Sequence, residues 1–216
     1  MDIGVLTFVT VGLLALAVHA TVRAVRRRQW EGARGRAWWA GILIASTLVA
    51  LWFEVGHDRQ QLLATEAMSA VTDNPHARAD CRRFTQTFLS LGEYDGYVYR
   101  DNSNVALYTN DSCKALASYA ASSKEHPTLA QIRAVHLIAH ETMHVNGYWS
   151  ESVAECRAVQ LSYLVAEKLG ATEAQARALQ ARYFAEIYPN LRDGYVSSDC
   201  REGGALDIFP DRTEFP

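Results

Sequence analysis

Residues 128–159 read TLAQIRAVHLIAHETMHVNGYWSESVAECRAV, and this stretch decides the fold around any chemistry the chain carries. Leu129, Ile132, Val135, Ile138 and Ala139 recur at intervals of three and four, which predicts an amphipathic helix. Thr128 and Gln131 form a capping box at its start. Gly147 suits the left-handed turn that ends a helix, and Ser150 can cap a second helix running to about Gly170. Two helices joined by so short a turn must fold back on each other. What lies at their junction therefore faces a common space.

Inside the first helix stands His140-Glu141-Thr142-Met143-His144, the HExxH pattern. Residues four apart lie on one helix face about 6 Å apart along the axis, so two imidazoles can grip one zinc ion. The glutamate between them sits where it can take a proton from a zinc-activated water. A catalytic zinc has three protein ligands, and three residues compete for the third place. His136 extends the row to 136, 140 and 144, but about 12 Å of rise between the outer two keeps it from sharing the ion with His144. His136 is expected to support the site from behind or to line its wall. Glu151 and Glu155 lie on the second helix, four apart and on one face.

His140-Glu141-x-x-His144 followed by Glu151-x-x-Ala154-Glu155 resembles the gluzincin class of zinc metallopeptidases. The likeness covers residues 136 to about 160. It implies a minimal zincin-like fold, zinc as cofactor and a peptide or protein substrate. Carried over by position, it makes Glu151 the third ligand and Glu155 the carboxylate that orients His140 through its outer ring nitrogen. Glu155 remains the competing ligand, because only six residues separate His144 from Glu151, fewer than in most of the class. The chain also resembles small bacterial membrane-anchored proteins with a tail like Gly203-Gly204-Ala205-Leu206-Asp207. A metzincin is excluded: its third ligand would fall on Ser150, and no methionine follows Met143.

The expected activity is peptide-bond hydrolysis with His140, His144 and Glu151 as metal ligands and Glu141 as general base. Tyr148 and Tyr195, with His126 and His136 behind them, are the candidate donors to an oxyanion. The alternative is a membrane-tethered zinc-binding structural or sensing protein without catalysis, which would have no need of Glu141.

The rest of the chain bounds where such a domain sits. Residues 3–22 and 37–53 contain no Asp, Glu, Lys or Arg, and between them stand Arg23, Arg26, Arg27, Arg28, Arg34 and Arg36 against Glu31. Each run approaches the roughly 20 residues of a membrane helix, and Trp38, Trp39 and Trp52 flank the second as interfacial rings do. Residues 1–55 are thus read as a transmembrane helical hairpin with an Arg-rich cytoplasmic loop, 23–36, leaving both termini and the C-terminal domain extracytoplasmic. A cleaved signal peptide would carry its positive charge before the apolar run, where only Asp2 is found. Residues 56–216 hold 15 basic and 21 acidic side chains, a balance that excludes nucleic-acid binding. All four cysteines, Cys81, Cys113, Cys156 and Cys200, fall there. In an oxidising compartment they suggest two disulfides. Of three pairings, Cys156–Cys200 with Cys81–Cys113 is preferred, since the first would tie the tail to the site.

The expected architecture is mainly α with a small β-hairpin, an α+β domain over 81–216. Residues 56–80 are read as a stalk, and a helix is expected over 76–91. Gly96 to Arg100 and Val105 to Thr109 read as the hairpin around Asp101-Asn102-Ser103-Asn104. Further helices are expected from Asp111 to about Ser123, capped by Asn110 or Asp111, and from Thr172 to near Pro189. The pattern leaves the oligomeric state open.

Overall fold

The computed structural model describes residues 5–26, 33–83 and 94–216 and divides into two compact units, Met1–Arg59 and Gln60–Pro216. In the first, helices α1 (Val5–Arg26) and α2 (Ala33–Met68) are each long and apolar enough to cross a membrane. Their packing is inverted relative to a water-soluble core. Thr10, Ala17, Ala40, Thr47 and Ala50 are buried, while Phe8, Leu16, Trp38, Leu48 and Trp52 are exposed. Small residues inside let the backbones approach, and large apolar ones outside suit lipid. The Thr21 and Thr47 hydroxyls donate to the Ala17 and Leu43 carbonyls, each at 2.7 Å, so both polar groups are satisfied within their own helix. Residues 27–32 of the Arg-rich connector lie outside the described residues.

The second unit begins within α2. Ala64, Ala67 and Met68 are fully buried in its core, so the segment read as a stalk supplies part of the domain's packing. The short alanine side chains make this burial hard to read from periodicity. A three-stranded sheet follows, in the order β1-β3-β2. Strand β1 (Arg78–Cys81) lies parallel to β3 (Val105–Tyr108), and β2 (Gly96–Val98) pairs antiparallel to β3. The expected hairpin is present. Of the expected helix over 76–91, residues 78–81 form a strand instead, and 84–93 lies outside the described residues. Alternate residues Ala79 and Cys81 are buried, and the partner that makes them a strand is 27 residues away in register, Arg78 facing Val105. Local propensity carries no trace of that pairing.

Among the described residues, four further α-helices follow: α3 (Asn110–Ala120), α4 (Leu129–Val145), α5 (Glu151–Lys168) and α6 (Glu173–Glu186). Thr109, rather than Asn110 or Asp111, caps α3, accepting from the Ser112 amide. Both expected capping boxes form, Thr128 with Gln131 and Thr172 with Gln175. Helix α4 is central and buried along most of its length from Ile132 to Val145. Helix α5 packs against it, with small Ala154 and Ala158 fully buried, and acids on α5 reach imidazoles on α4.

Two disulfides close the unit, Cys81–Cys113 from β1 to α3 and Cys156–Cys200 from α5 to the tail. Buried Gln160 holds the same tail, donating to the Leu206 carbonyl at 2.9 Å and accepting from the Ile208 amide at 2.8 Å.

Candidate metal centre

The turn between α4 and α5 is where local sequence becomes site geometry. Gly147 has φ +90°, a backbone conformation that costs a residue with a Cβ. It allows the Tyr148 amide to donate to the Met143 carbonyl and the Gly147 amide to donate to the His144 carbonyl, both at 3.0 Å, closing a Schellman motif. The reversal also turns the Tyr148 carbonyl onto His144, whose Nδ1 lies 2.7 Å from it. A carbonyl only accepts, so Nδ1 carries a proton and Nε2 is the nitrogen left to meet a metal.

His140 is held in the same sense by a different group. Its Nδ1 lies 2.7 Å from Glu155 Oε2, and its Nε2 points the other way, 3.2 Å from Glu151 Oε2. That same Glu151 oxygen is 3.3 Å from His144 Nε2. Two imidazole nitrogens and a carboxylate oxygen thus converge within 4.8 Å of one another, an arrangement that can hold a metal ion. The carboxylate that meets both outward-facing nitrogens belongs to Glu151, whereas Glu155 stands behind His140.

Electrostatics follow from this crowding. Burial works against charge on His140, yet hydrogen bonds to Glu151 and Glu155 lift its pKa to about 10. The same two imidazoles hold the Glu151 carboxyl far below the usual carboxylate range. Burial pushes Glu141 up to about 7; His140 and His144 pull it back, and Glu151 and Glu155 add to the rise. Glu141 is buried, and its Oε2 has no hydrogen-bond partner among the described residues. It lies against the backbone of β2: a Cβ on Gly96 would come within 3.0 Å of Glu141 Cγ and Oε1. The bare backbone at Gly96 is therefore what lets the sheet press on this carboxylate. Sequence periodicity singled out Gly96 only as a strand end.

Glu155 is the most heavily used acid. Besides His140, it accepts from the Tyr183 hydroxyl at 2.8 Å through Oε1, which also lies 3.0 Å from His136 Nε2. Burial opposes its charge, but His136 and His140 keep its carboxyl well below the usual range. His136, His140 and Glu155 form a second group close enough to hold a metal. There, however, His140 Nδ1 already bonds Glu155, and His136 lacks hydrogen-bond alignment with the carboxylate despite the short distance. The His136 ring lies flat on Tyr183, with ring centres 3.5 Å apart. Tyr183, which no motif marked, buttresses both His136 and Glu155. Its hydroxyl pKa is raised, chiefly by burial and by the charge on Glu155.

The remaining candidates divide. Tyr195 comes from the tail and stacks on His140 at 5.7 Å. Tyr148 enters the site through its carbonyl alone: its ring lies under Arg157 and lines a separate cavity. His126 is exposed and does not line the cavity over the centre. A cavity of about 590 Å³ opens over the centre, taking in His140, Glu141, His144 and Glu151. Trp149 stacks on His144 at 5.9 Å on its far side. No protein-family model, curated protein or solved structure matches the chain.

Proposed function

We propose that this chain is a membrane-anchored, zinc-dependent metallopeptidase of minimal zincin-like, gluzincin-type build, with His140, His144 and Glu151 holding the ion. The observation that carries the reading is the opposed fixing of the two imidazoles. Each has its Nδ1 proton committed, to Glu155 or to the Tyr148 carbonyl, and each turns Nε2 toward one Glu151 oxygen. Ligand atoms bound tetrahedrally at about 2.0–2.1 Å stand roughly 3.3 Å apart. The two separations to Glu151 Oε2, 3.2 and 3.3 Å, match that spacing.

A zinc ion there would act as a Lewis acid, lowering the pKa of a water and polarising a scissile carbonyl. Glu141, with a pKa near neutrality, would accept the water's proton and return it to the leaving amine. A base that titrates near the working pH can do both. Tyr195 accepts from Arg192 Nη2 at 3.0 Å, so its own O–H can turn to donate to an oxyanion. Among the described residues β2 pairs only with β3, and it lines the cavity through Gly96, Tyr97 and Val98. A peptide substrate can add to that edge as a further strand.

The Arg-rich connector supports a hairpin with its loop on the cytoplasmic side and the proposed catalytic domain outside. Two disulfides suit that oxidising side. The test uses the full chain purified in detergent, assayed for metal content and for cleavage of an unstructured protein. One equivalent of zinc is expected, with activity lost to a chelator and restored by zinc. Glu141→Gln should keep the zinc and lose turnover; a fully active Glu141→Gln protein refutes the mechanism.

A further inference from the structure

Beyond the metal group, the walls of the central cavity repeat one construction on each side. His140 is stacked by Tyr195, and the Arg192 guanidinium lies 4.9 Å from that ring's centre. His144 is stacked by Trp149, and the Arg100 guanidinium lies 5.1 Å from that ring's centre. Each imidazole thus carries an aromatic ring, and each ring carries an arginine. All six residues line the same cavity. They come from three distant parts of the chain: the turn after β2, the α4–α5 helix pair with its joining turn, and the tail tied down by Cys156–Cys200.

These two arginines are held by rings rather than by acids. Asp101 and Asp193 are their chain neighbours, yet among the described residues no carboxylate lies within ion-pair distance of Arg100 or Arg192. Both are exposed toward solvent. Arg192 gives one Nη2–H to the Tyr195 hydroxyl at 3.0 Å and also lies against Tyr94, but a guanidinium has five N–H donors, so donors remain for a ligand. Two guanidiniums so placed, on a segment with 15 basic against 21 acidic side chains, make the cavity a positive focus on an acidic surface. A bound divalent cation would offset Glu141 and Glu151, leaving the two arginine charges uncompensated.

We propose that Arg100 and Arg192 select substrates carrying a carboxylate close to the scissile bond. The geometry suits bidentate recognition, in which the planar fork meets both oxygens of one carboxylate. The carboxylate can be an acidic side chain or a free C-terminus. The inference takes the location of the chemistry from the peptidase reading, and its test reads binding as well as cleavage.

The experiment measures binding of blocked peptides to the full chain in detergent by calorimetry, with and without zinc. One series places Glu at successive positions against Gln at the same positions; another compares a free C-terminal acid with its amide. A preference of tenfold or more for carboxylate over carboxamide is expected in at least one series, and which series shows it identifies the source. In Arg100→Gln and Arg192→Gln the preference should fall severalfold, and in the double variant it should approach one. Lysine at either position should restore part of it, because charge returns without the fork. Equal binding of the wild type to carboxylate and carboxamide peptides overturns the proposal, as does a preference that survives the double substitution. A preference that behaves as expected without any cleavage upholds carboxylate recognition by the two arginines and removes the peptidase reading. Cleavage without a preference does the reverse.

Discussion

Replacing Glu155 by glutamine tests whether the centre is organised from behind. Glu155 is 2 % exposed and, as a carboxylate, accepts from His140 Nδ1 at 2.7 Å and from Tyr183 at 2.8 Å. Glutamine keeps the shape but has a single acceptor oxygen. If that oxygen stays with His140, the amide NH₂ faces Tyr183, whose hydroxyl must rotate to accept. If it stays with Tyr183, the NH₂ meets the Nδ1 proton of His140, and the imidazole must turn or change tautomer. In both cases a charge-assisted hydrogen bond, roughly twice as strong as a neutral one, is lost. Losses of such supporting bonds typically weaken metal affinity 10- to 100-fold, about 1.4–2.7 kcal/mol. The assay is competition for zinc against a chromophoric chelator at neutral pH, with circular dichroism to establish that the variant is folded. Tyr183→Phe is the companion: it removes one donor to Glu155 but leaves the bond to His140, so its effect on affinity should be smaller. A Glu155→Gln protein with wild-type affinity, or a larger loss in Tyr183→Phe, refutes the reasoning.

Three further outcomes follow from the same geometry. Because Glu151 and Glu155 lift His140 to about 10 in the metal-free protein, metal binding at pH 7 must displace about one proton. A raised pKa means the imidazole is protonated below it, so affinity should climb roughly tenfold per pH unit above neutrality; calorimetry in buffers of different ionisation enthalpy would contradict this by showing no proton release. Gly147→Ala places a Cβ at φ +90°, costing about 1–2 kcal/mol and lowering the melting temperature by about 2–8 °C. It should also weaken metal binding through the Tyr148 carbonyl, and an unchanged melt would show that the turn has another way to close. Removing Cys156–Cys200 by serine substitution at both positions opens a 44-residue loop, a loss of about 4 kcal/mol by chain entropy. A thermal shift worth less than about 1 kcal/mol would mean that Gln160 alone holds the tail.

Much of the centre was legible because it is built from near neighbours in sequence. His140 and His144 share a face by helical spacing, Gly147 marks the reversal, and Glu151 and Glu155 follow on the next helix one turn apart. The capping threonines at 128 and 172 and the glycine after α4 are local signals, and local hydrogen bonds realise them. The paired apolar runs were equally plain, since length and absence of charge are all a membrane-length helix requires. Where reading failed, the missing partner was distant. Strand β1 exists because Val105–Tyr108 pairs with it and Cys113 bonds it; alone, 76–83 carries no period that forbids a helix. The end of α2 looked like a stalk because alanines at 64 and 67 bury completely without an apolar stripe to announce them.

Sequence alone determined which residue types could meet at a metal, on which two helices, and after what kind of apolar helices, because spacing along a helix converts directly into position on its surface. Only the tertiary structure decided which acid faces the outward imidazole nitrogens and which stands behind. It also placed Tyr183 under Glu155, pressed Gly96 onto Glu141, and moved the Tyr148 ring out of the cavity while keeping its carbonyl in use. Those outcomes depend on how close α5 lies to α4 and where the sheet and tail close over them. Packing of small residues and two long-range disulfides set these distances, and no window of neighbouring residues contains them.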